Sequence, residues 1–223
     1  MGKAIERIAQ DRGHVVVQRV GSENSGETPV ENADVVIEFS TPSSVVANIK
    51  ACLNATKPVI VGTTGWLEHL DEITSEVNKN NGALLHASNF SIGVNIFFEV
   101  NKHLAEMMNG RIEYTPIVEE THHVEKLDIP SGTAISIAND LIDRSDSVEA
   151  WSELNEDRKL QVVSHRKDEV PGTHKVSYRS EIDDITIEHK AHNREGFAIG
   201  AVLAAEWIVG RKGVFTMKDL LKF

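Results

Sequence analysis

The sequence predicts an α/β protein in two parts: a doubly wound, mostly parallel sheet in the first ninety residues, then an α+β region. Three observations carry this. Residues 1–91 alternate strand-like and helix-like runs with short connections, as βα units do. The strand candidate "ADVVIEFS" is nearly all apolar, as a parallel strand covered on both faces is. The second half groups its strand-like runs with flanking helices, which favours a mostly antiparallel sheet.

Residues 3–12 read as a helix, with Ala4, Ile5, Ile8 and Ala9 on one stripe and Gly13 as its stop. "HVVVQRV" (14–20) predicts a β-branched strand and 21–29 a polar loop. Residues 33–40 predict a strand; Thr41 then suits an N-cap and Pro42 the first helical position. A strand running into a Gly-rich turn is expected at 57–66, a helix at 67–80, and a strand with its exit loop at 82–91. Residues 93–108 predict a long helix, 111–123 an alternating strand, and 131–144 a helix opening on Ser-Gly-Thr. Strands are expected at 160–167, 173–182 and 184–192, and a last apolar helix at 196–210.

The chain has 223 residues, a net charge of −11, 40% hydrophobic and 26% charged residues. That suits one large domain or two modest ones around a packed core. The acidic balance argues against nucleic acid and membrane surfaces as partners, since both want a basic face. No apolar run is long enough to span a bilayer, and charges interrupt the apolar residues of "MGKAIERIAQ", unlike a secretion signal. Cys52 is the only cysteine, so no intrachain disulfide can form. A reducing, cytoplasmic setting is expected.

Two places carry chemistry. Ligands of open α/β sheets sit at the carboxyl ends of the strands. Those ends are "FSTP", "VGTTG" and "ASNFS", all small and polar, and three on one edge favour a site over plain tight turns. The second place is "EETHHVEKLDIPSGTA" (119–134). Adjacent His122 and His123 point to opposite faces of a strand, and Lys126 repels a cation, so no metal site is expected. Glu188, His189 and His192 diverge in the same way. An anion pocket fits better. Pro130 sets a turn, and Ser131, Gly132 and Thr133 open a helix whose free N–H groups suit a carboxylate or phosphate. Lys126 adds charge, and a histidine can deliver a proton near neutral pH. A capped helix beside two exposed histidines is the alternative reading of this segment.

Taken in order, "DVVIEFSTP", "KPVIVGTTGW", "SNFSIGVNI", "EETHHVEKLDIPSGTA", "VPGTH" and "ITIEHKAHNREGFAIGAVLAAEWI" resemble the 4-hydroxy-tetrahydrodipicolinate (dihydrodipicolinate) reductase family of the diaminopimelate route to lysine. The resemblance covers nearly the whole chain. It implies a Rossmann-like dinucleotide-binding domain (1–90 and 194–223) and a substrate-binding and oligomerisation domain (91–193) with a mixed, mostly antiparallel sheet. It implies hydride transfer from NADPH or NADH to a cyclic dicarboxylate, in a homotetramer. The catalytic residues would be His122, the proton donor, and Lys126, which would also contact substrate together with His123, Ser131, Gly132 and Thr133. The cofactor would meet Gly2, Lys3, Arg19, Gly62, Thr63, Thr64, Ser88, Asn89, Phe90 and Arg194.

The chain also departs from the family pattern. "MGKAIERI" looks like the tail of a Gly-rich pyrophosphate loop without its preceding strand, so weak or absent dinucleotide binding is expected of the chain as it stands. An inactive dicarboxylate-binding remnant is therefore the alternative function. Arg19 stands where NAD enzymes carry an acid, a lean toward NADPH. Val124 and Glu125 replace basic residues beside the histidines. The segment between "VPGTH" and "DITIEH" looks short.

Overall fold

The computed structural model describes residues 1–21 and 30–223; the loop expected at 21–29 lies almost wholly outside the described residues. In chain order the elements are α1 (Gly2–Asp11), β1 (Val36–Glu38), α2 (Pro42–Asn54), β2 (Val59–Val61), a 3₁₀ turn (Leu67–His69), α3 (Leu70–Lys79), β3 (Ala83–His86), α4 (Ile92–Met108), β4 (Thr115–His122), α5 (Gly132–Ile142), β5 (Ala150–Ser152), β6 (Lys159–Arg166), β7 (Thr173–Arg179), β8 (Asp184–Lys190), α6 (Glu195–Ile208), β9 (Gly213–Phe215) and α7 (Met217–Leu221). The chain forms two compact units, one of residues 1–92 with 195–223, the other of residues 93–194.

The first unit holds a parallel sheet in the order β1-β2-β3-β9. Its core explains the apolar runs. Val59 and Val61 of β2 pack with α2 and α3 on one face, while Ile60 packs with α1 and α6 on the other. All three are fully buried, so no position in that strand can be polar. Thr41 and Ser44 form the capping box that starts α2, with Pro42 in the first turn.

The second unit holds a mixed sheet in the order β5-β6-β4-β7-β8. Its β5–β6 and β6–β4 pairings are parallel; the longer β4–β7 and β7–β8 ladders are antiparallel. One face is the core: Val118, Leu160, Val162, Val176 and Tyr178 meet Phe97, Leu104 and Ala105 of α4 and Ile137, Ala138 and Leu141 of α5. Glu119 on the opposite face pairs with Lys175 and Arg179. This alternation matters for the site, because Glu120 and His122 continue the core-facing row of Val118.

Some expectations fail. Residues 14–20 form no strand; Val15, Val17 and Val20 are exposed. A strand needs a ladder partner as well as propensity, and among the described residues β1 pairs only with β2. Residues 111–114 form turns before β4, and 67–69 wind as 3₁₀ before α3. The short elements β5, β9 and α7 went unread because three to five residues carry too little periodic signal.

Candidate active site

In the first unit, the loops after β1 and β2 surround a cavity of about 310 Å³ lined by Met1, Phe39, Ser40, Pro42, Gly62, Thr63 and Thr64. Beneath it lies the buried carboxylate of Glu38, at the end of β1. The Thr63 hydroxyl donates to it at 2.7 Å and Asn48 Nδ2 at 3.1 Å; the Ser40 hydroxyl donates as well. Thr63 Oγ1 in turn accepts from the Ser40 N–H at 2.7 Å. The two loops are thus fastened to each other through one acid. The Thr63 hydroxyl is used inward, so Thr63 offers a ligand mainly its backbone. Gly62 is needed for packing: a Cβ there would lie 2.1 Å from the Phe39 ring.

Gly2 and Lys3 sit exposed in the first turn of α1, whose N-cap Met1 lines the cavity and supplies no side-chain cap. Ser88, Asn89 and Phe90 follow β3. Asn89 is buried and its Oδ1 accepts from the Ser91 N–H at 2.9 Å, while the Phe90 ring packs 5.7 Å from that of Phe39. Arg19 lies on Glu6 as a two-pronged ion pair. Arg194 belongs to the second unit, where its Nη2 meets His123 Nε2 at 2.9 Å. A guanidinium can only donate, so that nitrogen of His123 accepts.

In the second unit the register of the sheet builds the site. Glu120 on β4 lies opposite Ser164 on β6 and His174 on β7, and His122 lies opposite Arg166. Glu120 Oε1 accepts from Arg166 Nη1 and Nη2 and from the Ser131 N–H, each at 3.1 Å. Its Oε2 lies 2.6 Å from His122 Nδ1. The Glu120 side chain is fully buried and that of His122 is 9% exposed. Burial pushes the Glu120 carboxyl up, but the polar groups around it, His122 first and then Ser131 and Ser164, outweigh it and hold it well below the usual range. His174 stands edge-on to His122 at 5.1 Å, and its Nε2 is 3.2 Å from the Ser131 hydroxyl. Burial first, then the neighbouring His122, pushes His174 down to about 3, so it stays neutral.

The loop after β4 carries the remaining residues. Arg166 also donates to the carbonyls of Lys126 (3.3 Å) and Asp128 (2.7 Å), tying this loop to Glu120. Lys126 Nζ donates to both oxygens of Asp128, at 2.7 and 2.9 Å, which holds that carboxyl below its usual range. The Ile129–Pro130 peptide bond is cis. Ser131 caps α5, its hydroxyl accepting from the Ala134 N–H at 3.2 Å. Gly132, the first residue of α5, is exposed, and a Cβ there would meet no atom within 4 Å. Packing does not require glycine at that point, and without a Cβ its backbone is open to close approach.

Glu120, His122 and His174 bring ligand-type atoms within 4.8 Å of one another. The donor set suits a proton site better than a metal site. Oε2 and Nδ1 at 2.6 Å are too close for an ion to bridge them in ordinary geometry, and Arg166 already brings positive charge to the carboxylate. On β8, Glu188 is exposed and His189 packs against Phe97, so the second histidine cluster does not converge. Sequence reading missed Glu120, Arg166 and His174 as site residues, and Glu38 in the other unit. The only sequence signal for Glu120 was its place two residues before His122 on a strand.

A parallel sheet with a strand-end cavity is joined in one chain to a sheet carrying an acid–histidine cluster beside a lysine and a helix start, the build of a two-unit α/β protein with a site in each unit. Residues 1–90 match the family "Dihydrodipicolinate reductase, N-terminus" and residues 93–221 match "Dihydrodipicolinate reductase, C-terminus". The chain is 44% identical over 225 residues to the 4-hydroxy-tetrahydrodipicolinate reductase of Christiangramia forsetii, covering 99% of this chain and 93% of that one. It is 31% identical to that of Thermosipho africanus, covering 100% and 93%. Among solved structures, the dipicolinate-bound dihydrodipicolinate reductase of Paenisporosarcina sp. TG-14 shares the fold at a TM-score of 0.76, with 19% identity, 97% of this chain and 93% of that one. The chain belongs to the dihydrodipicolinate reductase family.

Proposed function

We propose that this chain reduces 4-hydroxy-tetrahydrodipicolinate to tetrahydrodipicolinate with NADPH or NADH, in the diaminopimelate route to lysine. The observation that carries the reading is the set built around the end of β4: a buried histidine on a buried carboxylate, with Lys126 and the open start of α5 in the same unit. His122 delivers the proton that accompanies hydride. Lys126, His123 and the Ser131–Gly132–Thr133 turn hold the carboxylates, using charge and free N–H groups. In the structure Lys126 is paired with Asp128, so a substrate carboxylate must join or replace that partner.

The first unit is the dinucleotide-binding domain in this reading, and its residues fit the cofactor. The cavity brings together Gly62, Thr63 and Thr64 with Ser40 and the uncapped start of α1, and a helix start favours a pyrophosphate. When bound, the reduced nicotinamide supplies the hydride. The lean toward NADPH loses weight, because Glu6 already neutralises Arg19. The second unit is the substrate domain, and its sheet is the natural surface for assembly into a cytoplasmic homotetramer. No helix among the described residues is long and apolar enough to cross a membrane.

The test is oxidation of NADPH and then NADH by the purified chain with freshly made 4-hydroxy-tetrahydrodipicolinate. Oxidation that depends on that substrate supports the reading. Cofactor oxidation without it, or none with it, overturns the assignment. Size measured in solution checks the tetramer.

A further inference from the structure

We propose that Glu120, clamped by Arg166 and the Ser131 N–H, is a positioning residue that fixes the proton pattern of His122, with Nδ1 protonated toward Glu120 and Nε2 left to the substrate. This rests on His122 being the proton donor.

The geometry is one-sided. Three donors converge on Glu120 Oε1, which leaves Oε2 for His122 Nδ1 at 2.6 Å; both atoms are buried, and neither has a hydrogen-bond partner elsewhere among the described residues. A bare nitrogen lone pair facing a carboxylate oxygen at that distance would be repelled, so the proton sits on Nδ1. Nδ1 is fully buried, which leaves Nε2 as the nitrogen that can meet a ligand. The chain passes close over it at Gly172, where a Cβ would lie 3.0 Å from Nε2. Among the described residues, His174 from β7 and Arg166 from β6 also face this ring. His174 stays neutral, and Arg166 is engaged with Glu120, so neither competes for Nδ1.

The arrangement suits a donor. With both nitrogens protonated, the ring places Nδ1–H on Glu120 and Nε2–H toward the substrate. When the Nε2–H bond breaks and a C–H bond forms at the substrate, the ring is left neutral with its proton on Nδ1. That is the tautomer Glu120 already holds, so the ring need not turn. Solvent then restores the proton on Nε2.

The test is Glu120→Gln. The three donors on Oε1 demand an acceptor, so the amide oxygen must take that place and the NH₂ group must face Nδ1. His122 is then forced to carry its proton on Nε2. Nitrogen-15 NMR of histidine-labelled protein, with His122 assigned from the signals lost in His122→Gln, should show the neutral ring switching from Nδ1–H to Nε2–H. Substrate-dependent kcat should fall roughly 10²-fold while KM changes little. An Nε2–H tautomer in the unaltered protein, an unswitched tautomer in Glu120→Gln, or an unchanged kcat would overturn the proposal. If Glu120→Gln does not fold, the tautomer of the unaltered protein decides alone. If the unaltered protein shows no turnover, the assignment of function fails while the tautomer result still stands.

Discussion

Each unit carries a buried glutamate at or near the end of a strand, Glu38 closing β1 and Glu120 two residues before the end of β4, yet the two are held differently. Glu38 is held by hydroxyls and an amide, from Ser40, Thr63 and Asn48. Glu120 is held by a guanidinium, a backbone N–H and an imidazole. The neutral network ties two loops into one surface and leaves their backbone to a ligand. The charged network surrounds a group that can lose a proton. The contrast teaches that a carboxylate at a strand end builds shape or chemistry according to its partners.

The largest expected effect separates the two at once. His122→Gln should lower turnover roughly 10²- to 10⁴-fold, with cofactor affinity measured by fluorescence titration unchanged. A cofactor affinity that falls with turnover would break the division of labour.

Acid should then find the second unit first. Burial keeps His174 neutral down to about 3, whereas its unperturbed value is 6.5. Between those values the unfolded chain binds the extra proton, so stability present above 6.5 is lost as pH falls. Below about 4.5 the depressed Glu120 adds a loss of the same sign. Denaturant unfolding across this range should show a slope that is shallower in His174→Gln; an identical slope would sink the assignment.

Gly62→Ala should destabilise the first unit by about 1–3 kcal/mol, because the new methyl meets the Phe39 ring. A thermal midpoint equal to that of the parent would show that the ring moves aside freely. Lys126→Ala should raise the substrate KM roughly 10-fold, the cost of one hydrogen bond to a charged group, with a smaller effect on kcat. An unchanged KM would leave Lys126 as no more than the partner of Asp128. Gly132→Ala is the smallest and the mirror of Gly62→Ala. Its methyl meets nothing, so stability should stay within about 1 kcal/mol, while substrate affinity falls. Unchanged affinity would remove the close approach at α5.

What the sequence determined by itself was local. Apolar runs, Thr41 and Pro42 at a helix start, and Ser131 before α5 each encode their element within a few residues, because caps and two-sided burial act at short range. The string from His122 to Thr133 was legible for the same reason. Residues 14–20 show the limit: β-branched residues set a preference, but only a neighbouring strand makes a ladder. The site beneath His122 was decided by tertiary structure. Arg166 lies 46 positions from Glu120, and His174 lies 43 from Ser131. Sheet register alone brings them to one face, and register follows from how whole strands pack rather than from any short stretch of chain.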